Sequence, residues 1–374
     1  MRMVVDAGRW VLGPPIDHPP AAAVLEVSGA VLEWTVDDPN GAAATRITLT
    51  DIFAADWLWR VVGPVGHAAL LAAVAEHPGT EVLDLAGVEA AAEVLAPLRR
   101  LGVGHWLRRW WPESSREGIV GLDSAVLDGE LALLTNLAQE FFTEDTLDSD
   151  LEGLLAPHRS RLLALAGDGD PRVAAMARAC ADLADDVGVW SSAGTAPDGA
   201  PSSARREDYA LAAGRHGDRD SAAIAGGVGS VDWMAVPPRV FDAADRTIDW
   251  TVQPADASVI ATVRVATSNR ATDHVSARGI AVRLSSGAIS GSGVLDANGT
   301  AALRLSVATG EPLGENQAWD HDWSPTTVTV GPVHRTDGAA AAVRQRLRDF
   351  ARARLAHPGP DAFLAEVLAA ESDY

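Results

Sequence analysis

The sequence predicts a multidomain α+β protein: a small α+β unit at the N-terminus, a helical middle, and a β-sandwich followed by terminal helices. Three observations predict it. Short runs rich in β-branched and aromatic residues, separated by turn signals, fill the first fifty residues. From about 120 to 188 the apolar residues recur at three and four. Between 231 and 333 the period switches to two. The chain has 374 residues, room for two or three domains. The expected boundaries are 1–118 for the α+β unit, 119–190 for the helical domain, 191–230 for a linker, 231–333 for the sandwich and 334–374 for the terminal helices.

At the N-terminus the strand candidates are Val4–Leu12, Ala23–Ser28, Ala30–Val36 and Thr45–Thr50. Ser28 and Gly29 lie between two apolar runs and predict a hairpin. His67–Glu76 reads as an alanine-leucine helix ended by His77, Pro78 and Gly79. Glu81–Leu85 reads as one more strand. Val88–Leu101 reads as a helix, with Pro97 as a kink or break.

In the middle, Leu122, Val126, Leu127, Leu131, Leu134, Leu137 and Phe141 share one helical face, and Asp123 or a neighbour is placed to cap it. A second helix runs over Leu147–Ala156, or on through Pro157 to Ala166. A third has Asp170 at its N-cap and Pro171 at its first position, the preferred sites for both. It turns Val173, Met176, Ala177, Cys180, Leu183 and Ala184 inward. The segment Gly169–Ala175 resembles the start of a HEAT-type repeat, over about one helix, whereas a solenoid needs roughly three stacked units. Residues 191–230, poor in large apolar side chains, read as the linker.

Alternation then appears in Ile248/Trp250/Val252, Val259/Ala261/Val263/Val265, Ile280/Val282/Leu284, Ala301/Leu303/Leu305/Val307 and Val328/Val330. About seven strands in ~100 residues is a β-sandwich signature. The phrase Gly293–Leu305 resembles hairpins of Ig-like and transthyretin-like modules, a resemblance of fold with no catalytic content. Helices at about Ala339–Leu355 and Pro360–Ala370 close the chain.

Composition excludes several functions. Thirty basic against fifty-one acidic residues give −21, a field that repels phosphate backbones, so nucleic acid is not an expected partner. The chain holds no lysine, so P-loop phosphate binding in its usual form and Schiff-base chemistry are both gone. No apolar run is expected to approach the ~18 residues that span a bilayer, so no membrane is expected. The first residues lack a secretory pattern, and Cys180 alone makes no internal disulfide, so a cytoplasmic location is the expectation. There is no Cys-x-x-Cys, His-Glu-x-x-His or Gly-x-Ser-x-Gly. Gly102/Gly104 and Gly227/Gly229 lack the third glycine of a dinucleotide loop. Cys180 reads as a buried small hydrophobe. No cofactor is expected, and the balance leans away from an enzyme.

Three clusters remain as candidates. Asp320, His321 and Asp322, flanked by Trp319 and Trp323, place two carboxylates and an imidazole within three residues, with Asp273 and His274 as remote additions. A metal or small-ligand site is one reading, and a structural loop is the other. On an extended chain Asp320 and Asp322 point one way and His321 the other. Trp106, Arg108, Arg109 and Trp110 combine the residue types most enriched at interface hot spots, against the alternative of a core helix with arginines reaching out. Arg344, Arg348 and Arg352 form an i, i+4, i+8 stripe on the terminal helix, opposite an apolar seam of Val343, Leu347 and Phe350. Between Gly118 and His158 the chain carries acids but no arginine. Two solvated faces, docking of the helix on this chain, and docking on an acidic partner all fit that segregation.

The texture of the chain, in phrases such as the one from Gly104 to Pro112 and that from Ala318 to Trp323, is similar to high-GC actinobacterial multi-domain proteins of ATPase-associated multi-gene systems. No specific family motif matches and no residue roles carry over. The expected function is a non-catalytic adaptor or scaffold with a protein partner. The rival is a ligand- or metal-binding, or hydrolytic, protein using Asp320–Asp322. Homo-oligomerisation stays open.

Overall fold

The computed structural model describes residues 2–76, 82–142, 150–167, 169–190, 223–255, 258–268, 276–332 and 341–372. Helices and antiparallel sheets give the chain its α+β class. It divides into two compact units, Met1–Ser192 with Ala339–Tyr374, and Ala193–Gly338.

The first unit opens with strands β1 (Arg2–Asp6), β2 (Arg9–Leu12), β3 (Ala22–Val27), β4 (Ala30–Thr35) and β5 (Arg46–Leu49). With β6 (Val82–Asp84) they form one six-stranded antiparallel sheet in the order β3-β4-β5-β2-β1-β6. The single strand expected over Val4–Leu12 is a hairpin. Ala7 (φ 48°) and Gly8 (φ 78°) both take the left-handed conformation that a two-residue hairpin turn requires. The turn at Ser28 and Gly29 is as expected. In β4 buried and half-buried residues alternate, so Leu32 and Trp34 enter the core.

Helix α1 (Leu58–Glu76) begins well before His67 and is kinked at Gly63 (φ 73°). Helix α2 (Ala92–Trp110) runs straight through Pro97. Pro97 cannot donate to the Glu93 carbonyl. Burial of Leu95, Leu98 and Leu101 on both sides of it offsets that loss, each fully buried leucine being worth about 1.5–3 kcal/mol. Helix α3 (Ser124–Gln139) packs on α2 and is capped by Asp123, which accepts from the N–H groups of Ala125 (3.0 Å) and Val126 (3.2 Å). The boundary expected at 118/119 therefore lies inside one unit, because the helices on either side of it share a core.

Helices α4 (Leu151–Leu155) and α5 (Arg159–Leu165) are separated by a short 3₁₀ turn holding Pro157. The alternative of one continuous helix is thus set aside by the proline. Leu147 lies outside the described residues, as do His77–Gly79. Helix α6 (Pro171–Asp186) starts at the Asp170 cap, which accepts from Arg172 N–H at 2.8 Å, and buries the six residues expected to face inward.

In the second unit, β7 (Ala225–Gly229), β8 (Ile248–Ala255), β9 (Ser258–Val265), β10 (Ala281–Ser286), β11 (Ile289–Val294), β12 (Thr300–Arg304) and β13 (Thr327–Val330) build two sheets. Their orders are β12-β9-β8-β7 and β11-β10-β13, antiparallel throughout. One core, which includes Ile248, Val252, Val263, Leu284 and Leu303, serves both. Helix α7 (Glu315–Asp320) lies between β12 and β13 in sequence. Two expectations are corrected here. β7 lies within the segment read as linker, most of which is outside the described residues. Its glycines mimic a loop, but at Gly227 a Cβ would stand 2.7 Å from the Trp250 ring, so glycine makes room for the indole. The phrase Gly293–Leu305 is not a two-strand ladder: β11 pairs with β10 and β12 with β9, and the two arms meet each other at the antiparallel Ser290–Ser306 bridge. It crosses between sheets, and Asp296 turns the chain by accepting from the N–H groups of Asn298 (2.9 Å) and Thr300 (2.8 Å).

Helices α8 (Ala341–Ala356) and α9 (Leu364–Ser372) return to the first unit. Phe363, fully buried, reaches the α2–α3 contact at Gly104.

Candidate functional site

The loop from α7 to β13 carries the richest constellation. Its alternation follows the extended-chain expectation: Asp320 and Asp322 are exposed, and His321 and Trp323 turn toward the sheet. His321 Nε2 shares a 2.9 Å hydrogen bond with Ser286 Oγ at the end of β10. Ser286 Oγ also lies 3.0 Å from Thr326 Oγ1, which donates to the Trp323 carbonyl at 2.6 Å. The Trp323 indole N–H donates to the Ala318 carbonyl (2.9 Å), and its ring meets His321 edge-on at 4.7 Å. Asp322 accepts from the Ser324 N–H and hydroxyl, both at 2.9 Å, and these bonds hold its carboxyl below the usual range. Trp319 stands outside this network with 53% of its surface exposed, its indole N–H directed to Glu315 at 3.4 Å.

Imidazole and serine at this spacing resemble a base and a nucleophile. Ser286, however, is fully buried, so no substrate reaches its hydroxyl. The histidine turns away from both aspartates. Among the described residues no three His, Cys, Asp or Glu side chains gather into a metal-binding group. Asp273 and His274 lie outside the described residues. What the arrangement does is clamp the loop: His321 and Thr326 bond Ser286, and Trp323 bonds back to Ala318, while Trp319 on the preceding α7 stays outside the clamp.

On α2 the four singled-out residues separate. Trp106 is 2% exposed and donates to the Pro20 carbonyl at 2.6 Å, with Phe350 of α8 edge-on at 5.7 Å. Arg108 pairs with Asp128 of α3 at 3.1 Å, and Asp128 also bonds His158 at 2.9 Å. Arg109 stacks on Trp110 at 4.1 Å. The next residue, Trp111, is buried and donates to Val120. This is a core helix with arginines reaching outward, and Arg108 turns to α3 instead of away from the protein. His105 beside them has its pKa lowered, first by burial and then by the Arg108 charge.

The arginine stripe of α8 is largely spent on its own chain. Arg348 is 1% exposed and bonds Gln345 at 2.8 Å, so it is an interior residue and not part of a solvated stripe. Arg352 pairs with Glu117 and with Asp349 (2.8 Å). Arg346 pairs with Asp17 and Asp37. Arg344 is half-buried near the helix start. The acids between 118 and 158 meet other arginines: Glu130 takes Arg100 (2.6 Å), and Asp123 takes Arg161 (3.4 Å). Docking of α8 on this chain is thus what the geometry displays.

A cavity of about 460 Å³ opens where β2 and β5 meet the start of α2, lined by Leu12, Thr45, Ile47, Leu95, Arg2 and Glu89 among others. Arg2 and Glu89 are exposed. Thr45 spends its hydroxyl on the Trp34 indole (2.7 Å) and the Ala42 carbonyl (2.6 Å). Those three side chains therefore offer no buried polar group to orient a ligand.

Sequence reasoning missed Ser286 and Thr326, which become partners of the loop only through folding. It also missed the exposed apolar group Phe53, Trp59 and Val65 around α1. The signal for the latter was present: Val61–Ala75 contains no Asp, Glu or Arg. By length and composition α1 is apolar enough to cross a membrane, contrary to the sequence expectation, and only 28% of its most apolar window is buried. Arg60 and His67 interrupt a strictly apolar run without lowering the average. No protein-family model, curated protein or solved structure matches this chain.

Proposed function

We propose that the protein is a non-catalytic cytoplasmic adaptor, and that its second unit, an Ig-like or transthyretin-like sandwich, presents Trp319 to a protein partner. The half-exposed indole on α7, next to the clamped loop, carries this reading. Tryptophan is enriched at interface hot spots, and a site held by its neighbours loses little entropy on binding. Glu315 accepts from the indole N–H, and the exposed Asp320 and Asp322 follow it in sequence, so the complementary surface is an apolar pocket rimmed by cationic side chains.

The test is affinity capture from the native host with wild type beside Trp319→Ala, followed by binding of the purified partner to each. A stoichiometric partner whose affinity falls at least about tenfold with Trp319→Ala supports the reading. A partner bound equally by both proteins, or no partner at all, sinks it. The substitution is at an exposed site, so the melting temperature should be unchanged.

A further inference from the structure

We propose that the cavity between the sheet and the start of α2, in the first unit, binds a short apolar peptide with free termini, of dipeptide size. The floor of the cavity is aliphatic: Leu12, Ile47, Val88 and Leu95 line it and are buried. Its rim is small. Ala43, Ala90 and Ala92 edge it, with side chains too short to close the opening. Two charges stand at the mouth, Arg2 and Glu89, both exposed. Neither side chain has an ion pair or hydrogen bond among the described residues. Asp84 stands opposite Arg2 in the β1–β6 register without pairing to it.

Size and charge select the occupant. A cavity of ~150 Å³ is enough for one benzene ring, so about 460 Å³ has room for two apolar side chains with their backbone at the mouth. No buried polar side chain turns the guest, so its orientation falls to Arg2 and Glu89. A ligand with one charge serves them badly. A monocarboxylate meets Glu89 and the long-range field of a chain of charge −21, and a monocation meets Arg2. A zwitterion is neutral at a distance, and close up it gives its carboxylate to Arg2 and its ammonium to Glu89. The carboxylate has a second favourable neighbour in the positive end of α2, whose N-cap is Ala91 and carries no side-chain cap. That helix start adds to the site and does not define it. The aliphatic floor supplies most of the affinity, because an exposed ion pair is worth little. The cavity lies in the first unit and Trp319 in the second, so this inference and the adaptor reading stand or fall separately.

The test is isothermal titration calorimetry of the full chain with leucyl-phenylalanine. Binding is expected at roughly 10–100 μM, the range that ligand efficiency allows for a molecule of this size. Ala43→Trp fills the mouth from an exposed position, so it should abolish binding and leave the melting temperature unchanged. Amidating the C-terminus of the dipeptide, or acetylating its N-terminus, should each weaken binding roughly three- to fivefold, the worth of one exposed ion pair. Two cycles assign the charges: Arg2→Ala should be indifferent to amidation, and Glu89→Ala to acetylation. No binding of the dipeptide, binding that survives Ala43→Trp, or blocked dipeptides that bind wild type as tightly as the free one would each overturn the proposal. So would decanoate binding as tightly as the dipeptide, which would make this a site for a simple fatty carboxylate.

Discussion

The carboxylate of Glu130 accepts the Leu364 N–H at 2.6 Å and pairs with Arg100 at 2.6 Å. Burial nevertheless outweighs both and lifts its pKa above the ordinary 4.5, with the nearby Glu366 adding to the rise. The folded protein therefore holds this proton more tightly than the unfolded chain. The stabilisation linked to it is complete below 4.5 and is lost as pH rises through the folded value. In urea unfolding from pH ~4 to ~7, Glu130→Gln should gain stability relative to wild type as the pH increases. A flat difference would mean that the arginine and the N–H dominate instead. Cys180 shows the same physics in a thiol: burial, aided by the Glu130 charge, pushes it up to about 12, the inert core cysteine read from its place on the helix face. Residues with local partners were legible in this way. Asp123 and Asp170 cap helices that begin beside them. Ser286 and His321 are joined by the tertiary fold, and nothing near either one announces the other.

At the scale of elements, α2 explains both what was legible and what was not. Its apolar spacing identified a helix, but Pro97 suggested a break, because the strength of packing on either side is invisible in the sequence. Gly102 and Gly104, which lack the third glycine of a dinucleotide loop, are packing residues. A Cβ on Gly102 would stand 2.8 Å from the Trp34 ring; on Gly104 it would stand 2.4 Å from Leu131 and 2.6 Å from Phe363. Alanine is the better helix former by roughly 0.5–1 kcal/mol, whereas overpacking a tight core costs about 1–3 kcal/mol. Leu131 and Phe363 both crowd the one point that a Gly104 Cβ would occupy, and both are inaccessible to solvent. Gly104→Ala is therefore expected to destabilise by about 1–2 kcal/mol in chemical denaturation. A stabilised variant would show that this junction yields and that helix propensity decides.

For the molecule as a whole, the α+β class and the position of the period-two region were readable, because hydrophobic periodicity is a local property. The assignment of the terminal helices was not. Ala339–Tyr374 follows the second unit in sequence yet belongs to the first. It is tied there by the Arg352–Glu117 pair, by Phe350 against Trp106, and by the Leu364 N–H on Glu130. The second unit is thus an insertion between two parts of the first, which domains tolerate when each has its own core. Within the returning segment, Arg354 forks onto the fully buried Glu366 at 2.5 and 2.7 Å; burial acts to lower the arginine's pKa, but the bonds and charges of Glu366 and Asp361 together raise it. Loss of residues 339–374 would remove Phe363 from the α2–α3 contact and strip Glu130 of its Leu364 donor. Residues 1–192 joined to 339–374 by a flexible linker should melt as one cooperative unit. Residues 1–192 alone should melt at least about 10 °C lower, since losing several buried contacts costs a few kcal/mol in a domain of this size. Equal melting temperatures for the two chains would show that α8 and α9 rest on the first unit without supporting it.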